Sequence, residues 1–185
     1  GRDLATELEA KGYDIVYTMD ELKASASPKI AGLLAKEHMP TVLEGRKGML
    51  EEMVSKAIQT LSKDKDGFFM MVEGSMIDWA CHDNNLEYSN AETLDMDRAV
   101  GVALDFAKNN KETLIIITAD HETGGLTVPG KDAQTNGLMA HFSTKGHTSV
   151  MVPIFAFGPG AEEFSGINDN TFFFDTILKL LKITK

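Results

Sequence analysis

Phe68-Phe69-Met70-Met71-Val72-Glu73-Gly74-Ser75-Met76-Ile77-Asp78-Trp79-Ala80-Cys81-His82-Asp83 is the stretch whose reading decides the fold. Five apolar residues of strand length run into a carboxylate and a glycine. Ser75 to Asp78 then gives an S-x-x-D pattern, a helix N-terminal capping signature. A helix begun there stacks Asp78 and His82, four residues apart, on one face. That carboxylate and imidazole can grip one cation, with Glu73 at the strand tip beside them. The same residues also fit a plain cap, a surface histidine and a solvated glutamate.

Outward from this centre, strands alternate with helices. Asp14–Thr18, an apolar run at Ile30–Ala35, Phe68–Val72, Thr113–Thr118 and Val152–Phe157 read as extended. Residues 3–11 read as a short helix closed by Gly12, and 36–48 as irregular. From Met49 the apolar positions 49, 50, 53, 54, 57, 58 and 61 form an amphipathic stripe. Ser89 and Glu92 suggest a second capping box opening a helix that stops at Asn109-Asn110. Thr171–Leu181 closes the chain as a helix with Phe173, Ile177 and Leu180 on one side. This order predicts one α/β domain over 1–185, with three α/β/α layers around a mostly parallel, mixed central sheet. Sites in such sheets form beyond the carboxyl ends of strands. Glu73 and Asp120 each stand at such an end.

The chain has 185 residues, 43% hydrophobic and 25% charged, enough for one sizeable core. A formal charge of −10 argues against nucleic acid and anionic membranes as partners. An anionic substrate then needs local cations, which bound metal ions supply. No apolar run approaches the ~18 residues of a membrane span. Gly1-Arg2-Asp3 opens without a signal-peptide pattern and reads as an internal position of a longer gene. Cys81, the single cysteine, excludes an internal disulfide.

Thr118-Ala119-Asp120-His121-Glu122-Thr123-Gly124-Gly125 follows the 113–118 strand directly. An Asp-His pair at a strand tip can send both side chains into one site, or simply close a polar turn. His147, in Lys145-Gly146-His147-Thr148, precedes the last strand within a long connection, 121–150. Together, Asp78, His82, Asp120, His121 and His147 make a nitrogen-rich divalent-metal inventory of the kind zinc prefers.

The runs F-F-M-M-V-E-G-x-x-I-D-x-x-x-H, T-A-D-H-E-T-G-G and G-H-T … P-I-F-A-F-G-P-G resemble the C-terminal part of bacterial alkaline phosphatases. The likeness extends over essentially the whole chain, from the GYDIVYT and HMP segments onward. It implies an alkaline phosphatase-like fold and hydrolysis of phosphate monoesters by two zinc ions and one magnesium ion. Asp78, His82 and His147 would hold one zinc; Asp120 and His121, with an upstream aspartate, the other; Glu73 would hold magnesium. The nucleophilic serine of the family's D-S-A motif, which forms a phosphoserine intermediate, and its phosphate-binding arginine are expected upstream. No D-S-A occurs here, and Arg2, Arg46 and Arg98 do not match that arginine. No catalytic residue is therefore assigned within the chain, which reads as less than half of a family member.

The resemblance further implies homodimers and a periplasmic or extracellular location. Trp79 stands where relatives carry Lys, His or Trp. Cys81 is expected as a small buried hydrophobe, His38 as structural, His141 as an ordinary loop residue, and Glu122 as a possible support for a ligand histidine. Two other readings remain open. One is a different phospho- or sulfohydrolase, or a mutase, of the same superfamily, against which the V-E-G glutamate counts. The other is a non-catalytic metal-binding domain. Geometry adds one expectation: His147 precedes its strand while Glu73 and Asp120 follow theirs. A parallel last strand of five or six residues would separate them by roughly 17–20 Å. Either Val152–Phe157 runs antiparallel or residues 141–151 fold back over the sheet, and the antiparallel strand, needing no long return path, is expected.

Overall fold

Asp3 begins the first helix because its carboxylate accepts from the amides of Ala5 and Thr6. The computed structural model describes residues 1–46, 48–134 and 137–183. They form two compact units, Gly1–Met76 with Asn90–Val102, and Ile77–Ser89 with Ala103–Lys185.

In the first unit, α1 (Leu4–Glu9) leads into β1 (Asp14–Val16). Thr18 and Glu21 then close a reciprocal capping box on α2 (Met19–Ala24). β2 (Ile30–Gly32) pairs with β1 in parallel, as a strand–helix–strand crossover requires. A tight turn, Val42–Arg46, precedes α3 (Met49–Leu61), whose apolar stripe buries Val54 and Ile58. The predicted strand Phe68–Val72 forms no ladder among the described residues. Its burial still alternates, leaving Phe69 and Met71 exposed. The side chains keep the period of a strand, but backbone pairing needs a neighbour that periodicity cannot name.

The long helix α5 spans Leu86–Asn110, not a start at Ser89. Asn85 caps it by accepting from the Tyr88 amide at 3.0 Å. Glu92 is buried instead of capping. It accepts from the Val42 amide at 2.7 Å and from the Arg46 guanidinium. Arg46 also reaches Asp95 at 3.2 Å, and Arg98 reaches Asp95 at 2.8 Å. Two fully buried carboxylates thus tie the 42–46 turn to α5. Arg2 is paired with Glu7.

In the second unit, α4 (Met76–His82) carries Asp78 and His82, with Met76 itself counted in the first. β3 (Ile115–Ile117) pairs with β8 (Phe155–Phe157), Ile115 opposite Phe157, and the pairing is antiparallel, the expected one of the two routes. The connection 121–150 is more ordered than its sequence suggests. It folds into β4 (Glu122–Thr123) against β7 (His147–Thr148), enclosing the hairpin of β5 (Thr127–Lys131) and β6 (Leu138–His141). α6 (Phe172–Leu180) turns Phe173 and Ile177 inward but leaves Phe174 exposed.

The chain is thus α/β, but among the described residues its ladders are four two-stranded pairs, one parallel and three antiparallel. A continuous, mostly parallel sheet is not among them. Among the described residues the 113–118 segment, whose apolar residues suit a strand covered on both faces, pairs antiparallel with β8 and is only half-buried. Unbroken apolarity signals cover on two faces and does not set strand direction.

Candidate metal centre

α4 presents Asp78 and His82 one turn apart, with His82 Nε2 3.3 Å from Asp78 Oδ2. The β4–β7 ladder brings His147 opposite Thr123. His147 Nε2 then lies 3.4 Å from Asp78 Oδ1 and 3.1 Å from His82 Nε2. His121, one residue before β4, stacks its ring on His147 with centroids 3.6 Å apart. It shares with Asp78 and His147 a set of ligand atoms that all lie within 4.8 Å of one another. Asp120 Oδ2 is 3.2 Å from His121 Nε2. Asp78, His82, Asp120, His121 and His147 therefore converge. Glu73 belongs to the first unit, where it is exposed.

The donor set fits a cation. Bonds of ~2.0–2.1 Å at tetrahedral angles put ligand atoms ~3.3–3.4 Å apart. His82 Nε2 and His147 Nε2 lie 3.1 Å apart, close to such an edge, and each approaches a different Asp78 oxygen, His82 at Oδ2 (3.3 Å) and His147 at Oδ1 (3.4 Å). His82 Nδ1 is 2.5 Å from the Lys145 carbonyl, which can only accept. His82 thus donates from Nδ1, and its Nε2 faces His147 and Asp78. Such a carbonyl-held imidazole is the usual support for a metal-binding histidine.

Three supporting residues escape a reading by ligand type. Thr123 is buried and donates to Asp78 Oδ1 at 2.5 Å, with His121 Nδ1 3.2 Å from the same hydroxyl. Lys145 acts through its carbonyl, which no side-chain pattern announces. Gly124 joins the segments: its amide donates to Gly146 O at 2.9 Å, and its carbonyl accepts from Ser143 and Thr144. Its φ of 85° suits glycine, and a Cβ would meet Cys81 O at 2.8 Å. The repeated glycine of T-G-G was the available signal. Gly124→Ala should cost more than ~1 kcal/mol and weaken metal binding in the same variant. Chemical denaturation and a zinc titration check both.

Glu122 bonds the Thr148 hydroxyl and accepts from the Leu126 amide at 3.0 Å, so it braces β7 and not an imidazole ring. The Thr148 bond holds its carboxyl below the usual range. Cys81 is buried with its sulfur 3.4 Å from the Ser89 hydroxyl. His141 is exposed at the end of β6, and His38 Nδ1 lies 3.2 Å from Met39 O.

An α/β chain with such a carboxylate–imidazole cluster defines a candidate metal-binding protein. It belongs to the alkaline phosphatase family, whose model matches residues 1–142. Alkaline phosphatase 4 of Bacillus subtilis is 30% identical over 253 residues, covering 100% of this chain and 55% of that protein. Alkaline phosphatase of Escherichia coli is 31% identical over 222 residues, covering 96% of the chain and 47% of that protein. The chain thus spans about half the length of these relatives. The alkaline phosphatase structure from the Antarctic bacterium TAB5 superposes with a TM-score of 0.90 at 41% identity, covering 100% of this chain and 56% of that one. A variant of that enzyme, described with magnesium bound, matches with a TM-score of 0.90.

Proposed function

We propose that the full-length protein hydrolyses phosphate monoesters with two zinc ions and one magnesium ion. These residues form the C-terminal part of one alkaline phosphatase-like catalytic domain. The observation that carries this is the convergence of the Asp78 carboxylate with the His82 and His147 Nε2 atoms, 3.1–3.4 Å apart, with Asp120 and His121 alongside. In this reading Asp78, His82 and His147 hold one zinc, Asp120 and His121 contribute to the second, and Glu73 binds magnesium. Paired cations of this kind neutralise phosphoryl oxygens and activate the attacking and leaving oxygens of an in-line displacement.

The residues of this chain bind and orient. Lys145 O fixes the His82 ring, and Thr123 braces Asp78. The serine that forms the phosphoserine intermediate and the phosphate-binding arginine come from the N-terminal half. Arg46 cannot serve as that arginine while it neutralises Glu92 and Asp95. The family also favours a homodimer acting in the periplasm or outside the cell.

The test compares p-nitrophenyl phosphate turnover by the full-length protein and by residues 1–185 alone. Zinc-dependent turnover is expected from the first only. Absence of turnover in the zinc-loaded full-length protein would refute the reading, and genuine turnover by the short chain would refute the placement of the nucleophile. Zinc affinity gives a second expectation, since one site has three ligands here and the other two. His82→Ala should weaken the tightest calorimetric binding step more than His121→Ala; equal losses, or a larger loss from His121→Ala, would refute the ordering.

A further inference from the structure

We propose that Thr123 is a positioning residue whose single hydroxyl selects the metal-binding tautomer of His121 while it holds Asp78. The inference rests on the metal-site reading above and deepens it. A carboxylate accepts only, so the 2.5 Å contact to Asp78 Oδ1 must use the hydroxyl proton. No proton remains for His121 Nδ1, 3.2 Å away, so that nitrogen donates to Thr123 Oγ1. The chain then reads His121 Nδ1–H to Thr123 O–H to Asp78, and the His121 Nε2 lone pair is left outward.

The other neighbour of His121 asks for the opposite tautomer. Asp120 Oδ2, 3.2 Å from Nε2, would accept a proton there and mask the atom that binds metal. The environments decide between them. The Asp120 side chain is 88% exposed, so water competes for its bonds. Thr123 is buried at 7%, where a hydrogen bond is stronger and its loss costlier. Thr123 therefore prevails, and the Nε2 lone pair faces a carboxylate, an arrangement relieved by a cation between them. The same hydroxyl joins a ligand of the first proposed zinc site to a ligand of the second.

The test uses the full-length protein, ring-15N-labelled at histidine, at a pH of about 8.5, above the ordinary imidazole range. Long-range proton–nitrogen spectra of the metal-free protein should show His121 protonated at Nδ1. In Thr123→Val, His121 should move to the Nε2–H form and donate to Asp120, with zinc affinity falling ~10–100-fold. Thr123→Ser should restore both, which a purely packing role for the Thr methyl would not. Nε2–H in the unsubstituted protein, an unchanged tautomer in Thr123→Val, or failure of Thr123→Ser to rescue would each overturn the proposal. If Thr123→Val does not fold, the unsubstituted and Thr123→Ser spectra decide. The correct tautomer in a protein that takes up no zinc would overturn the metal reading and leave the hydrogen-bond assignment standing.

Discussion

His147→Ala in the full-length protein should lower zinc affinity by more than the ~10–100-fold typical of losing a supporting contact, with a matching fall in kcat/KM for a phosphate monoester. His147 Nε2 approaches both Asp78 and His82, so its loss opens two of the three edges of that ligand set. His141→Ala, six residues earlier at the exposed end of β6, should leave both quantities unchanged. Metal content after dialysis and steady-state kinetics measure the contrast. Equal behaviour of the two variants would remove His147 from the site.

Arg46→Met should produce the largest loss of stability, on the order of 3–5 kcal/mol, because it strands buried carboxylates. Glu92 and Asp95 are 2% and 0% exposed. Without Arg46, Glu92 retains the Val42 amide and Asp95 retains Arg98, whose own side chain is 45% exposed. Neither remaining partner supplies a buried countercharge. Converting all three, Arg46→Met with Glu92→Gln and Asp95→Asn, should recover much of the loss, since neutral amides carry no charge desolvation penalty. Urea denaturation of the single and triple variants tests this. A single variant as stable as the parent would show that the network contributes nothing to folding.

The candidate ligands were legible in the sequence because their chemistry is local. Asp78 and His82 lie one helical turn apart in a seven-residue helix. Asp120 and His121 follow directly on an apolar strand. The antiparallel setting of Phe155–Phe157 was favoured by local facts, since His147 precedes its strand and an antiparallel strand needs no long return path. Strand pairing was less legible. Phe68–Val72 has the composition and alternation of a strand, yet those properties specify no partner, and it stands outside the ladders described. The turn residues of 121–150 concealed two nested antiparallel pairs because β4 and β7 are two residues long, too short for a period. Ser89 and Glu92 matched a capping pattern that Asn85 satisfied one turn earlier, which freed Glu92 for a contact 46 residues away in sequence. Thr123 carried no signal by type, since a threonine beside two ligands becomes a support only through what it faces.

The central claim is that Asp78, His82 and His147 hold a zinc ion. Anomalous diffraction from zinc-soaked crystals of the full-length protein, recorded on either side of the zinc absorption edge, tests it most directly. The account predicts an edge-dependent peak ~2.0–2.2 Å from His82 Nε2, His147 Nε2 and an Asp78 carboxylate oxygen. Zinc peaks elsewhere with none at these three atoms would contradict it.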